Sequence, residues 1–170
     1  PRLRTVLYRR IMMRVASVVA EKLNCLALLT GEALGQVASQ TLKNMDSINR
    51  STDMLILRPL VGSDKNDAID LARQIGTFDL SNLPGDDSCT VFAPDSPATS
   101  ANIHLCRKNE RSFDLDQAIK DCLNDIVVIH PVTMEEKDYS QDLVDIYERL
   151  YKDEWMADRA LEDRKREKSK

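Results

Sequence analysis

No apolar run in these 170 residues approaches the ~20 that a membrane span requires, so the sequence offers no transmembrane segment. The basic N-terminus is not followed by an apolar h-region; no signal peptide is expected, and the cytoplasm is the default location. Histidine is scarce, with only His104 and His130. The four cysteines, Cys25, Cys89, Cys106 and Cys122, form no C-x-x-C pair. This pattern fits neither a zinc site nor a dense disulfide scaffold, and reduced thiols are the natural reading. Two histidines in the distal half assemble no Ser/His/Asp triad. G-x-x-x-x-G-K and G-x-G-x-x-G are both missing, which removes the P-loop and the dinucleotide fingerprint. The net charge of −4 argues against a general nucleic-acid coat.

What is present reads as one globular domain, or a domain with an appendage, long enough for an ordinary core. Arg2, Arg4, Arg9, Arg10 and Arg14 crowd the first fourteen residues with no acid among them. Such a stripe either faces phosphate or is a solvated helix face, and composition favours the second. Apolar residues at Ile11, Met12, Val15, Val18, Val19 and Leu23 predict a helix over 9–23. "CLALL" at 25–29 predicts a strand. Spacing at 34, 37, 38, 42, 45 and 48 predicts a second helix, and "MLILRPLVG" at 54–62 a second strand, frayed by Pro59. Ser63 or Asp64 would cap a third helix that Gly76 stops. The order α-β-α-β-α implies parallel strands with right-handed crossovers. Periodicity then disappears from Phe78 to Cys106. Residues 113–123 predict a short helix, 126–129 a short strand, and 139–166 a long charged helix. The apolar stripe of that last helix includes Leu143, Tyr147, Tyr151, Trp155 and Met156, and must lie on the domain or on a partner. Two parallel strands are too few for an independent sheet, which suggests part of a larger one.

Three places could carry chemistry. "TGEALGQVASQTL" at 30–42 follows a strand, where α/β proteins often hold a ligand, but an ordinary strand-to-helix turn looks the same. Gly31 would allow close backbone approach, and Gln40 could bond a base edge or simply face solvent. Lys65 stands at a helix start, where the dipole disfavours a cation; that hints at an anion site, against the plainer reading of a solvent lysine. Cys89 lies in the irregular segment beside Asp86 and Asp87, which would raise its pKa, whereas the other three cysteines read as packing residues.

Taken together, "RRIMMRVA", "ALLTGEALGQVASQTL", "LILRPLVGSDK" and "DSCTVF" resemble the tRNA 4-thiouridine synthetase (tRNA sulfurtransferase) family over about residues 8–94. The resemblance implies an α/β fold: part of a Rossmann-like parallel sheet of the adenine-nucleotide-hydrolase (PP-loop) type, flanked by helices, over 1–104. A C-terminal helical extension with a charged tail would fill 105–170. It implies ATP, with Mg2+ as counter-ion, adenylating a uridine of tRNA, after which a persulfide-derived sulfur displaces AMP. Similar enzymes also supply sulfur for thiamine thiazole. By position Arg9, Gly31 and Gln40 would contact the nucleotide, Lys65 would act on the phosphates, and Cys89 would take part in sulfur transfer.

Departures from the family pattern carry their own expectations. The pyrophosphate loop S-G-G-x-D-S occurs nowhere in the chain. The isolated chain is therefore expected to hold only part of the nucleotide site, completed by an N-terminal half or a partner chain. Thr5 and Tyr8 stand where some members have the C-x-x-C of an iron–sulfur cluster, so no cluster and no other metal site is expected. Implied partners are tRNA and a sulfur donor such as a cysteine desulfurase, with no membrane. The rival expectation is a non-catalytic half-domain that completes its sheet as a homodimer or with another chain.

Overall fold

Helix α1, Arg4–Lys22, contributes to both hydrophobic cores of the chain. The structure is a computed structural model that describes residues 2–85 and 94–151. Lys22 in the last turn of α1 suits the negative end of the helix, and Asn24 turns the chain with φ 55°. Strand β1, Ala27–Leu29, pairs in parallel with β2, Leu55–Leu57, in the register Leu28↔Ile56. Alternation along the strands points Leu28 and Ile56 at one core, formed by Leu3, Val6, Met13, Ile48, Ala101 and Cys106. The opposite face carries Leu29, Leu55 and Leu57, which are 72%, 60% and 47% exposed.

The expected helix over 34–48 is not continuous. Residues 38–40 form a single 3-10 turn, and α2 begins only at Leu42 and ends at Asn49. Gly35 takes φ +77° and Val37 is extended, both incompatible with helix. Thr41 caps α2, its side chain accepting from the Asn44 N–H. The apolar positions 34, 37 and 42 that suggested a buried face are exposed.

Helix α3, Lys65–Gln74, starts at Asp64 with a reciprocal capping box to Asp67 and ends before Gly76 at φ +76°. Residues 77–85 and 94–106, the described parts of the segment after it, hold helical turns that their composition did not suggest. Helix α4, Phe78–Ser81, follows a short turn, and α5, Ile103–Glu110, begins inside the stretch that had lost periodicity. Helix α6, Leu115–Asn124, is followed by a hairpin of β3, Val127–Ile129, and β4, Glu136–Asp138, the second of which has no counterpart among the expected strands. Helix α7 occupies 140–151. Its Leu143, Tyr147 and Tyr151 pack with Val18 of α1 and Leu115, Ile119 and Leu123 of α6 in a second core. The described part of the terminal stripe therefore lies on the chain itself; Trp155 and Met156 fall outside the described residues. Ion pairs Lys120–Glu148 (2.7 Å) and Arg149–Glu21 (2.8 Å) line the rim of that core. Among the described residues, no helix is long and apolar enough to cross a membrane.

Candidate functional site

The segment 30–41 is a loop folded over the carboxyl ends of β1 and β2. The Thr30 N–H donates to the Leu57 carbonyl, and the Leu34 N–H donates to that of Val61, tying this loop to the one leading into α3. Within it the Gly35 N–H donates to the Gln40 carbonyl at 2.9 Å. Glu32 is buried at its centre, with 2% of its surface exposed. Its Oε1 lies 2.5 Å from Arg9 Nη2, and its Oε2 accepts from Arg58 Nε at 2.6 Å and from Thr30 Oγ1 at 3.0 Å. Arg9 also donates through Nη1 to Ser39 Oγ at 3.3 Å, and Arg58 through Nη1 to Asn49 Oδ1 at 3.2 Å. One carboxylate thus binds guanidinium groups from α1 and from the end of β2. Glu32 Oε1, Gln40 Oε1 and Arg58 Nη2 are buried without a hydrogen-bond partner among the described residues, so Arg9 and Glu32 meet as a close ion pair rather than through an aligned hydrogen bond.

A second cluster lies one position further along α1. Arg10 is fully buried and Arg14 nearly so. Arg10 donates to both Glu110 oxygens, at 2.6 and 3.1 Å, and to the Ser47 carbonyl; Arg14 donates to Glu110 Oε1 at 2.9 Å. Burial is the largest single influence on the Glu110 carboxyl and pushes its pKa up. The hydrogen bonds and charges of Arg10 and Arg14 together outweigh it, and the net position is below the ordinary value. Burial dominates at Cys106 and raises its thiol; Arg10 opposes this and Glu110 adds to it. Cys106 is a packing residue as expected, but Cys25 and Cys122 are exposed. Their positions beside an apolar strand and on an amphipathic helix do not bury them.

The arginine stripe is neither a solvated face nor free for phosphate throughout. Arg10 and Arg14 share with Val6, Met13 and Ser17 the helical phase 6, 10, 13, 14 and 17 that α1 buries. That phase was the available signal. Their partner, 96 and 100 residues away, left none in the local pattern. Of the expected site residues, Arg9 is joined to the Gly31 and Gln40 loop through its neighbours Glu32 and Ser39. Gly31 is exposed, and a Cβ built there meets nothing within 4 Å. Gln40 ends the 3-10 turn rather than standing two turns into a helix. Lys65 is the exposed first residue of α3, four positions after the Val61 tie. Cys89, with Asp86 and Asp87, lies outside the described residues. Glu32, Arg58 and Asn49 were not singled out as partners in the sequence, because only the fold brings them together. Among the described residues, no three His, Cys, Asp or Glu side chains converge as a metal site requires.

Comparison with known proteins follows the same stretch of chain. A tRNA sulfurtransferase relative from Finegoldia magna, designated probable, is 43% identical over 128 residues, which is 75% of this chain and 33% of that protein. One from Brevibacillus brevis, likewise designated probable, is 47% identical over 135 residues, 79% of this chain and 34% of that protein. A crystal structure described as a 4-thiouridine synthetase–RNA complex with bound ATP matches with a TM-score of 0.66 and 40% identity, over 71% of this chain and 31% of that one. The chain thus spans about a third of the length of these relatives. The family model described as Thiamine biosynthesis protein (ThiI) matches residues 1–115, and the chain belongs to that family.

Proposed function

We propose that residues 1–104 form one wall of the nucleotide site of an ATP-dependent tRNA sulfurtransferase, and that 105–170 is an extension whose described helices are braced on α1. The observation that carries this is the convergence of Arg9 with the 30–41 loop through the buried Glu32. In the reaction a uridine oxygen of tRNA attacks the α-phosphorus of ATP and pyrophosphate leaves. The outer sulfur of a donor persulfide then attacks C4 and displaces AMP, and the Cys89 thiolate attacks the carrier's inner sulfur, breaking the S–S bond to release 4-thiouridine and leaving a Cys89–carrier disulfide that an external thiol reduces. Arg9, Gly31 and Gln40 contact the nucleotide, and Lys65 neutralises phosphate charge as it develops. Mg2+ accompanies ATP; no iron–sulfur cluster takes part. The structural relative described with RNA and bound ATP supports this reading. The same sulfur chemistry would serve thiamine thiazole formation.

The two-stranded sheet supports an incomplete site in the isolated chain, with the pyrophosphate loop supplied by an N-terminal half or another chain. The experiment is tRNA thiolation by this chain with ATP, cysteine and a cysteine desulfurase. We expect no turnover alone; robust 4-thiouridine formation would refute the incompleteness. The exposed Leu29, Leu55 and Leu57 favour a second reading, a non-catalytic half-domain that self-associates through this face. Light scattering at low concentration tests it, and a monomer at all concentrations counts against it.

A further inference from the structure

We propose that Glu32 is a positioning residue for the nucleotide, holding Arg9 in the orientation that meets the ligand; this deepens, and rests on, the assignment of Arg9 above. A buried carboxylate is costly unless paired, and Glu32 is paired twice, by side chains from separate elements. An arginine at a helix surface has wide rotamer freedom. Arg9 has lost it, because Glu32 takes one terminal nitrogen and Ser39 the other. A guanidinium carries five N–H donors. Among the described residues no hydrogen bond engages Arg9 Nε, and the guanidinium that carries it is fixed in direction.

The second cluster on α1 provides a control within the same molecule. It has the same ratio of two arginines to one glutamate, but Arg10 and Glu110 are sealed, at 0% and 4% side-chain exposure. Around Glu32 the carboxylate is equally buried, while the Arg9 and Arg58 side chains remain 18% and 14% exposed. Two guanidinium groups on one carboxylate leave a net positive charge, and here that charge reaches the surface. Arg58 Nη2 is a buried donor without a partner, and Gln40 Oε1, next to Ser39, is a buried acceptor without one. A ligand offering anionic oxygens and an amino group suits this set, as an adenine nucleotide does. Glu32 itself repels phosphate, so its contribution is made through Arg9.

The test is a double-mutant cycle on this chain, with ATP binding followed by NMR of the arginine side-chain N–H signals and of the backbone amides. Arg9→Ala should weaken ATP binding about tenfold or more. Glu32→Gln should weaken it comparably and return the Arg9 side-chain signals to those of a free arginine. In the Arg9→Ala background, Glu32→Gln should have little further effect. If Glu32→Gln fails to fold, Glu32→Asp takes its place in the cycle, with partial loss expected only while Arg9 is present. Full binding by Glu32→Gln, or full additivity with Arg9→Ala, overturns the positioning role while leaving Arg9 as a ligand contact. Unchanged binding by Arg9→Ala, or no response of the unmodified chain to ATP, overturns the nucleotide reading itself and this inference with it.

Discussion

At the scale of single residues, the chain's chemistry is set by which arginines are sealed and which are open. Glu110 neutralises part of a buried pair of cations, so Glu110→Gln leaves two guanidinium groups without a counter-charge. We expect a loss of about 3–5 kcal/mol in urea unfolding at neutral pH. Because the Glu110 pKa in the folded chain lies below 4.5, its stabilisation is present above that value and is lost as pH falls through the folded one. The unmodified chain should therefore lose stability below about pH 4.5 more steeply than Glu110→Gln does; parallel pH profiles would contradict the ion-pair account. Gly31 makes a different prediction. Its φ is not left-handed and its side-chain space is empty. Gly31→Ala should change unfolding free energy by no more than about 0.5 kcal/mol while weakening ATP binding, since the methyl group would stand where the ligand approaches. Equal ATP affinity would remove Gly31 from the site.

At the scale of elements, β1, β2, β3 and the helices α1, α3, α6 and α7 were legible from their apolar patterns, whereas α4, α5 and β4 were not. Asp64 and Gly76 bound α3 as their chemistry requires. The failure came in the stretch that matters most. Residues 34, 37 and 38 continue a helical period by coincidence, while Gly35 and the Thr41 cap break it. The loop is held instead by a residue from the following helix. Asn44 is fully buried; its Nδ2 donates to the carbonyls of Ala38 (2.6 Å) and Ala98 (2.7 Å), and its Oδ1 accepts from the Ala101 N–H. One amide therefore fastens the Gln40 turn, α2 and the segment before α5. Asn44→Ala should destabilise the chain by about 2–3 kcal/mol, since buried carbonyls and an N–H lose their partner. Amide exchange should rise first at 38–41 and 98–101. Protection unchanged at 38–41 would show that the loop is held by something else. No local pattern announces such long-range side-chain bonds, which is why Asn44, Glu32 and Glu110 were silent in the sequence.

At the scale of the whole molecule, two cores flank α1, and one face of a two-stranded sheet is uncovered. The small sheet was foreseen from the strand count. The packing of α7 back onto α1 and α6 could not be, because its apolar stripe suits a partner equally well. Uncovered leucines on a sheet face favour association. Static light scattering of the isolated chain should show mass rising with concentration. Leu29→Ser with Leu57→Ser should reduce that rise without lowering the melting temperature greatly, since neither side chain lies in a core. Concentration-independent monomer mass in the unmodified chain would contradict this. The central claim, that the 30–41 loop and Arg9 form one wall of a nucleotide site, is tested most directly by backbone amide shift mapping with ATP. The largest perturbations are expected at Arg9, Gly31, Glu32 and Gln40, with smaller ones at Lys65. Perturbations confined to other surfaces, such as α6 and the β3–β4 hairpin, or none at millimolar ATP, would contradict it.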